Sequence, residues 1–401
     1  QPPRATSLYG IEVFIHPDYR GLRLARRMYD YRKELCEKLN LKAIMFGGRI
    51  PNYHKYADRM RPKEYIDRVR SREIYDPVLT FQLSNDFHVR RVMPNYLPND
   101  EESCHCATLL QWTTSTTSPD TGVRGQEDHR RVGLVQWQMR TYKTLDDVFE
   151  QVEFFVDAVS DYKSDFVLFP EYFNAPLMAR FNNLGEAQSI RGLAQYTEEI
   201  RDRFIELAIS YNINIITGSM PYIKPDGGLY NVGFLCRRDG TYDMYEKVHV
   251  TPDEVKSWGL SGGRMVQTFD TDCARIGVLI CYDVEFPELS RIMADQGMQI
   301  LFVPFLTDTQ NGYSRVRVCA QARAIENECY VIAPNQMGKK PRFTAYGNSL
   351  IVDPWGTVIA RASDKPGVII AEIDLDYETK VRQSTFTLDN RRPDVYELKM
   401  L

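Results

Sequence analysis

A glutamate, a lysine and a cysteine each close an apolar run in this 401-residue chain, and together these types can perform acyl transfer. Glu171 follows Leu168-Phe-Pro, and Lys247 lies within Tyr245-Glu-Lys-Val-His249. Cys281 ends Gly277-Val-Leu-Ile and precedes Tyr-Asp-Val-Glu-Phe-Pro-Glu288. Taken alone, the carboxylate is either a helix-entry charge or a general base, and the lysine reads as a solvated rim charge. Taken together they supply what a thiol lacks. An unperturbed cysteine has a pKa near ~8.5 and is mostly protonated at neutral pH. A nearby ammonium and a helix N-terminus favour the thiolate, and a carboxylate can accept its proton. A strand–cysteine–turn–helix elbow also leaves backbone N–H groups beside the nucleophile, a natural oxyanion site.

Other residues compete for chemical roles. His249 lies two residues after Lys247, so on one strand the two side chains share a face, and a Cys281–His249 dyad is a second arrangement. Cys104-His105-Cys106 resembles a metal fragment, but no second pair has zinc spacing. Asp308 and Tyr313 either line a substrate pocket or cap the helix that follows them. The tyrosines between Tyr53 and Tyr75 read as packing rather than as a base-stacking surface.

The elements that must carry these residues alternate between strand and helix. Val132–Trp137 reads as a strand, and Thr144 with Asp147 three residues on reads as a helix start. Leu145, Val148, Phe149, Val152, Phe155, Val156 and Val159 line one face of that helix. Strands are expected at Phe166–Phe169 and Ile213–Gly218, with a helix over roughly 195–210 between them. Val232–Cys236 and Thr241–Val248 form a hairpin around Asp239-Gly240. Arg275–Cys281 is the next strand, with a helix from Phe286 to Gln296. Ile300–Phe305, a helix from Tyr313 to Asn327, and Tyr330–Ala333 follow. Ser349–Val352 and Val368–Ile373 complete a sheet system, with an Asp353-Pro-Trp-Gly356 turn between them. Such alternation implies α/β layers with helices outside the sheets.

Ahead of this region, Thr113–Gly125 is polar, rich in Ser, Thr and Gly, and without apolar period. The expected division is a first domain at 1–112, a linker at 113–128 and a second domain at 129–401. Hydrophobic residues make up 43% and charged residues 26%, a globular balance with no run long enough to span a bilayer. No secretory signal is read at Gln1-Pro-Pro-Arg4, and the absent initiator Met implies a longer gene product. Eight scattered cysteines fit free thiols in a reducing compartment, so a cytoplasmic location is expected. The net charge of −4 gives no pull on nucleic acid. Residues 1–73 carry 17 Lys or Arg against 9 Asp or Glu, a local +8 that reads as solubility.

Residues 131–401 resemble the nitrilase or carbon–nitrogen hydrolase superfamily. The resemblance is carried by Phe169-Pro-Glu171, Glu246-Lys247-Val-His249, Cys281-Tyr-Asp283 with Phe286-Pro-Glu288, and Ala322-Arg-Ala-Ile-Glu-Asn327. It implies a four-layer α-β-β-α sandwich and a Glu–Lys–Cys triad at Glu171, Lys247 and Cys281. It also implies a second glutamate after the lysine, which falls on Glu254. The Tyr282 backbone N–H would share the oxyanion with Lys247, and Tyr172 and Asp308 are further substrate-side candidates. The implied reaction cleaves a non-peptide C–N bond through a thioester. A small amide is expected as substrate before a nitrile or an N-carbamoyl compound. No cofactor, metal, nucleic acid or membrane partner is expected, and the resemblance implies a homodimer or higher homo-oligomer. The competing classes are a catalytically silent scaffold of the same fold and a Cys–His thiol hydrolase.

Gly10 to Ala25 resembles the fourth strand and following loop of a GNAT acetyltransferase, so the first domain reads as a partial GNAT-like module. In that family the loop cradles the acetyl-CoA pyrophosphate on backbone N–H groups at a helix start. Arg20 and Ala25 match the pattern, whereas Arg23 stands at its first glycine position, where backbone must approach phosphate.

Overall fold

The computed structural model describes residues 7–10, 13, 15–16, 24–39, 41–71, 73–85, 87–113, 129–181, 183–340 and 343–398. The expected linker and the Arg20–Arg23 loop lie outside these. The chain forms two compact units, residues 1–123 and 124–401.

In the first unit β1 (Ser7–Tyr9), β2 (Ala43–Arg49), β3 (His88–Met93) and β4 (Ala107–Thr113) form one sheet in the order β1-β2-β4-β3. The β1–β2 pair is parallel, which demands a crossover, and α1 (Leu24–Lys38) supplies it. Helices α2 (Pro62–Arg70) and α3 (Pro77–Ser84) complete a core with Ile44, Phe46, Leu79, Phe87 and Leu110. Tyr53 and Tyr65 are buried with ring centroids 5.3 Å apart, so these tyrosines pack.

The second unit holds two stacked sheets. The seven-stranded sheet contains β5 (His129–Gln136), β6 (Phe166–Leu168), β7 (Asn214–Ile216), β8 (Met220–Ile223), β9 (Leu229–Cys236), β10 (Tyr242–Glu246) and β19 (Gly367–Asp374). Its order is β10-β9-β7-β6-β5-β19, with β8 on β9. The six-stranded sheet contains β11 (Thr268–Asp270), β12 (Arg275–Val278), β13 (Ile300–Phe302), β14 (Tyr330–Ala333), β17 (Leu350–Val352) and β18 (Val358–Arg361), in the order β11-β12-β13-β14-β17-β18. A separate ribbon pairs β15 (Met337–Lys340) with β16 (Phe343–Tyr346).

Period-two alternation sorts the core. On β6, Phe166 and Leu168 enter the cluster between the sheets, while Val167 faces the outer helices. Phe166 meets Phe302 of the opposite sheet at 5.4 Å between ring centroids. Outside the larger sheet lie α4 (Leu145–Asp161), α5 (Glu186–Ala194) and α6 (Thr197–Tyr211), whose apolar faces fill the second cluster. Outside the smaller sheet lie α7 (Pro287–Asp295) and α8 (Gln310–Asn327), and α9 (Leu375–Thr385) follows β19. The layers are therefore helix, sheet, sheet, helix.

Thr144 caps α4 as its spacing predicts: its Oγ1 accepts from the Asp147 amide at 3.1 Å, and the Asp147 carboxylate accepts from the Thr144 amide at 3.0 Å. The helix expected over roughly 195–210 is α6, and a further helix, α5, precedes it. Two sequence expectations need correction. The Asp353–Gly356 turn leads into β18, and β17 and β19 belong to different sheets. Helix α8 begins at Gln310 with Thr309 as its N-cap, so neither Asp308 nor Tyr313 caps it.

Candidate active site

The three chemically capable residues come from strand ends on both sheets. Strand β6 continues to Phe169, whose amide donates to the Ile216 carbonyl at 3.0 Å, and Glu171 then bridges to Ser219. This approach requires glycine at 218. Its φ is +73°, and a Cβ there would lie 2.1 Å from the Pro170 carbonyl oxygen. Lys247 follows β10 directly, its amide bonded to the Asn231 carbonyl at 2.9 Å. Beyond β12, the Leu279 and Cys281 amides reach the Phe302 and Pro304 carbonyls at 3.0 and 2.9 Å. Cys281 then turns into the left-handed region (φ +49°) and opens a 3₁₀ turn, Cys281–Glu285.

The side chains meet in a buried cluster. Lys247 is 1% exposed, and its ammonium lies 2.8 Å from Glu171 Oε1 and 3.0 and 2.9 Å from the two oxygens of Glu254. These three contacts match its three donors. Glu171 Oε1 also accepts from Asn231 Nδ2 at 3.0 Å, and Oε2 from the Leu306 amide at 3.1 Å. The Leu306 carbonyl in turn faces Cys281 Sγ at 3.7 Å. One residue of backbone thus ties the carboxylate to the thiol. Glu254 is held further by the Thr251 amide and hydroxyl and by the Tyr172 hydroxyl at 2.8 Å.

One ammonium cannot neutralise two buried carboxylates, and the structure divides them. For Glu171, burial pushes the carboxyl pKa up and outweighs the opposing pull of Lys247, with Glu254 adding to the rise. For Glu254, burial also pushes upward, but Lys247 and the surrounding donors hold it below the usual carboxylate range. Lys247 is pulled down by burial and lifted above its ordinary value by the two carboxylates. Lys247 is ion-paired to both carboxylates, at 2.8 Å to Glu171 and 2.9 Å to Glu254, and the upward shift on Glu171 suits it to accepting a proton. The Cys281 thiol is raised well above its ordinary value, first by burial and then by Glu171, with Lys247 opposing. Desolvation therefore exceeds the pull of the ammonium that favours the thiolate.

His249 does not share a strand face with Lys247, because β10 ends at Glu246. Its Nδ1 pairs with Asp283 at 3.0 Å and its ring stacks on Phe286 at 3.6 Å. Asp283 is fully buried and also accepts from the Val248 and His249 amides at 3.1 and 2.7 Å, fastening the segment after Lys247 to the cysteine turn. Tyr172 is turned to Glu254 and packs edge-on to Trp258. The Tyr282 amide, next after Cys281, lies in the first turn of the 3₁₀ segment, where the helix offers it no acceptor. Asp308 is exposed and makes none of these contacts. Sequence reasoning missed Asn231, Leu306, Gly218 and the clamp role of Asp283. Only Asp283 had a signal, its place inside the cysteine motif.

All eight cysteines are free. Among the described residues no cluster of three or more His, Cys, Asp or Glu could hold a metal, and no helix is long and apolar enough to cross a membrane.

Residues 131–383 match the carbon-nitrogen hydrolase family. The probable hydrolase YhcX of Bacillus subtilis is 41% identical over 412 residues, covering 99% of this chain and 80% of that protein. The human protein named Omega-amidase NIT2 is 31% identical, covering 67% of this chain and 98% of its own length. The crystal structure of the Caenorhabditis elegans NitFhit protein superposes with a TM-score of 0.60 at 30% identity, covering 68% of this chain and 67% of that one. The chain belongs to the carbon-nitrogen hydrolase family and is an amidase-type enzyme of the nitrilase superfamily.

Proposed function

We propose that this enzyme hydrolyses the C–N bond of a small amide through a thioester on Cys281. The observation that carries the reading is the Leu306 main chain, whose N–H bonds Glu171 and whose carbonyl faces Cys281 Sγ. As Sγ attacks the amide carbon, Glu171 takes the thiol proton, so charge is not left on a buried sulfur. The oxyanion develops near the Lys247 charge and the Tyr282 amide. Glu171 returns the proton to the leaving nitrogen, ammonia or an amine departs, and a thioester remains. Water then adds to the thioester while Glu171 accepts its proton. Collapse expels the sulfur, which recovers the proton as the carboxylic acid leaves. Glu254 keeps Lys247 charged and in place. The commitment of His249 to Asp283 and Phe286 supports this reading over a Cys–His dyad, and the amidase relative supports an amide over a nitrile or N-carbamoyl substrate.

The test is acid quench of the enzyme during turnover of a small amide, followed by peptide mass spectrometry. The expected result is acyl mass on the peptide containing Cys281. Acylation elsewhere, or turnover with no thioester on any cysteine, contradicts the mechanism.

We also propose that residues 1–112 are a partial GNAT-like module, joined by a linker at 113–128 to the hydrolase domain at 129–401. The support is a parallel β1–α1–β2 unit with β4 inserted between β2 and β3. Arg23 opposes phosphate binding, so calorimetry on the full chain should detect no acetyl-CoA binding at micromolar concentrations. A micromolar site lost on deleting residues 1–112 would reverse that expectation.

A further inference from the structure

Asn231 lies on β9 with none of its surface exposed, so it offers no face to a substrate. Its side-chain Nδ2 donates to Glu171 Oε1 at 3.0 Å, and its main-chain carbonyl accepts from the Lys247 amide at 2.9 Å. One residue thus touches two members of the buried cluster by separate means, and a change of its side chain leaves the Lys247 bond in place. The neighbour fixes which way round the amide sits: turned over, it would set its oxygen against a carboxylate oxygen. In this orientation Asn231 Oδ1 has no hydrogen-bond partner among the described residues. A buried amide with its oxygen unpaired costs stability, so packing alone does not account for asparagine here.

The two oxygens of Glu171 are unequally occupied. Oε1 accepts from Lys247 Nζ at 2.8 Å and from Asn231, which fills the two acceptor positions of one carboxylate oxygen. Oε2 accepts from the Leu306 amide at 3.1 Å, which leaves its second position for the proton of the Cys281 thiol. We propose that Asn231 is a positioning residue for the acyl transfer: by occupying Oε1 it turns Oε2 to Cys281 and keeps the Glu171 carboxylate ready to accept the thiol proton. This role rests on the reading of Glu171 as the proton acceptor.

A neutral N–H donor favours the ionised carboxylate without adding a charge that would compete with Lys247. Burial acts the other way and raises Glu171. The other groups acting on Glu171 are Lys247, Glu254, Cys281 and Tyr172, and none of them is altered by a change at 231. Without Nδ2, Glu171 should therefore take up its proton at higher pH. A Glu171 that is already protonated cannot accept from the thiol, so the acidic limb of kcat/KM should move upward.

The test is the pH profile of kcat/KM for a small amide on the full chain. Two variants are compared with the unaltered enzyme: Asn231→Leu has the same branching without the donor, and Asn231→Ala only removes atoms. The acidic limb should move up by about one pH unit in both, the size of one hydrogen bond to a charged group. Above the limb, kcat should fall about tenfold with KM within about twofold, because Asn231 does not touch substrate. Circular dichroism at each pH checks the fold. Unfolded protein scales every point alike and leaves the limb where it was, so the limb separates positioning from a purely structural role. An unmoved limb in the folded variants overturns the role, whatever the loss of rate. Glu171→Gln should abolish turnover at every pH. Turnover in Glu171→Gln with the limb unchanged removes Glu171 as the acceptor and Asn231 with it. An inactive Glu171→Gln beside an unmoved limb in the Asn231 variants removes Asn231 alone.

Discussion

Cys281→Ala is expected to lower amide hydrolysis by at least about 10⁴-fold, because no other group at the site can form the thioester. The fold should survive. Alanine keeps the Cβ, so the left-handed conformation at 281 (φ +49°) is no more strained than before. The sulfur's hydrogen-bond contacts, to the Leu306 carbonyl at 3.7 Å and to the Glu171 side chain, are those of a weak thiol donor. Loss of one buried sulfur should cost about 1–2 kcal/mol. Circular dichroism with thermal unfolding checks the fold, and ammonia release checks activity. A well-folded alanine variant with ordinary turnover would remove the nucleophile and the triad with it.

Lys247→Met is expected to damage both stability and rate, and the two effects can be separated. Methionine fills the space of the lysine stem but leaves Glu171 and Glu254 buried without their cation. Removing one member of such a buried cluster typically costs about 3–5 kcal/mol. Loss of the oxyanion charge should also cut kcat by about 100-fold or more. Adding Glu254→Gln to Lys247→Met removes one uncompensated carboxylate, so thermal stability should partly recover while kcat stays low. His249→Asn should cost less than about tenfold, since the imidazole serves Asp283 and Phe286. The opposite ranking of Lys247→Met and His249→Asn would favour a Cys–His mechanism.

Alkylation of Cys281 provides a second measurement of the same variant. The thiol pKa lies well above its ordinary value, so the protonated form dominates at neutral pH. The iodoacetamide rate should climb as pH rises, without levelling off in the neutral range. Lys247 is the cation that opposes this rise, so its loss should slow alkylation at each pH. A neutral-range plateau would mean that the site stores a thiolate.

What sequence alone determined here is local. The Thr144–Asp147 box, the apolar face of α4 and the alternation on β6 depend on residues a few positions apart. Glu171, Lys247 and Cys281 were legible because each ends or follows an apolar run, a pattern that survives without knowledge of strand order. The remaining partners of those residues were not legible. Glu171 receives its bonds from Asn231, 60 positions away, and from a backbone amide 135 positions away, and a main-chain N–H has no residue type to read. Only the tertiary structure ended β10 at Glu246 and gave His249 to Asp283, where spacing had placed it on the face of Lys247. It also decided the protonation of Cys281. Residue types argue for a lowered thiol pKa beside an ammonium, but stacking two sheets excludes water from the sulfur, and the energy of desolvation exceeds that of one shared cation.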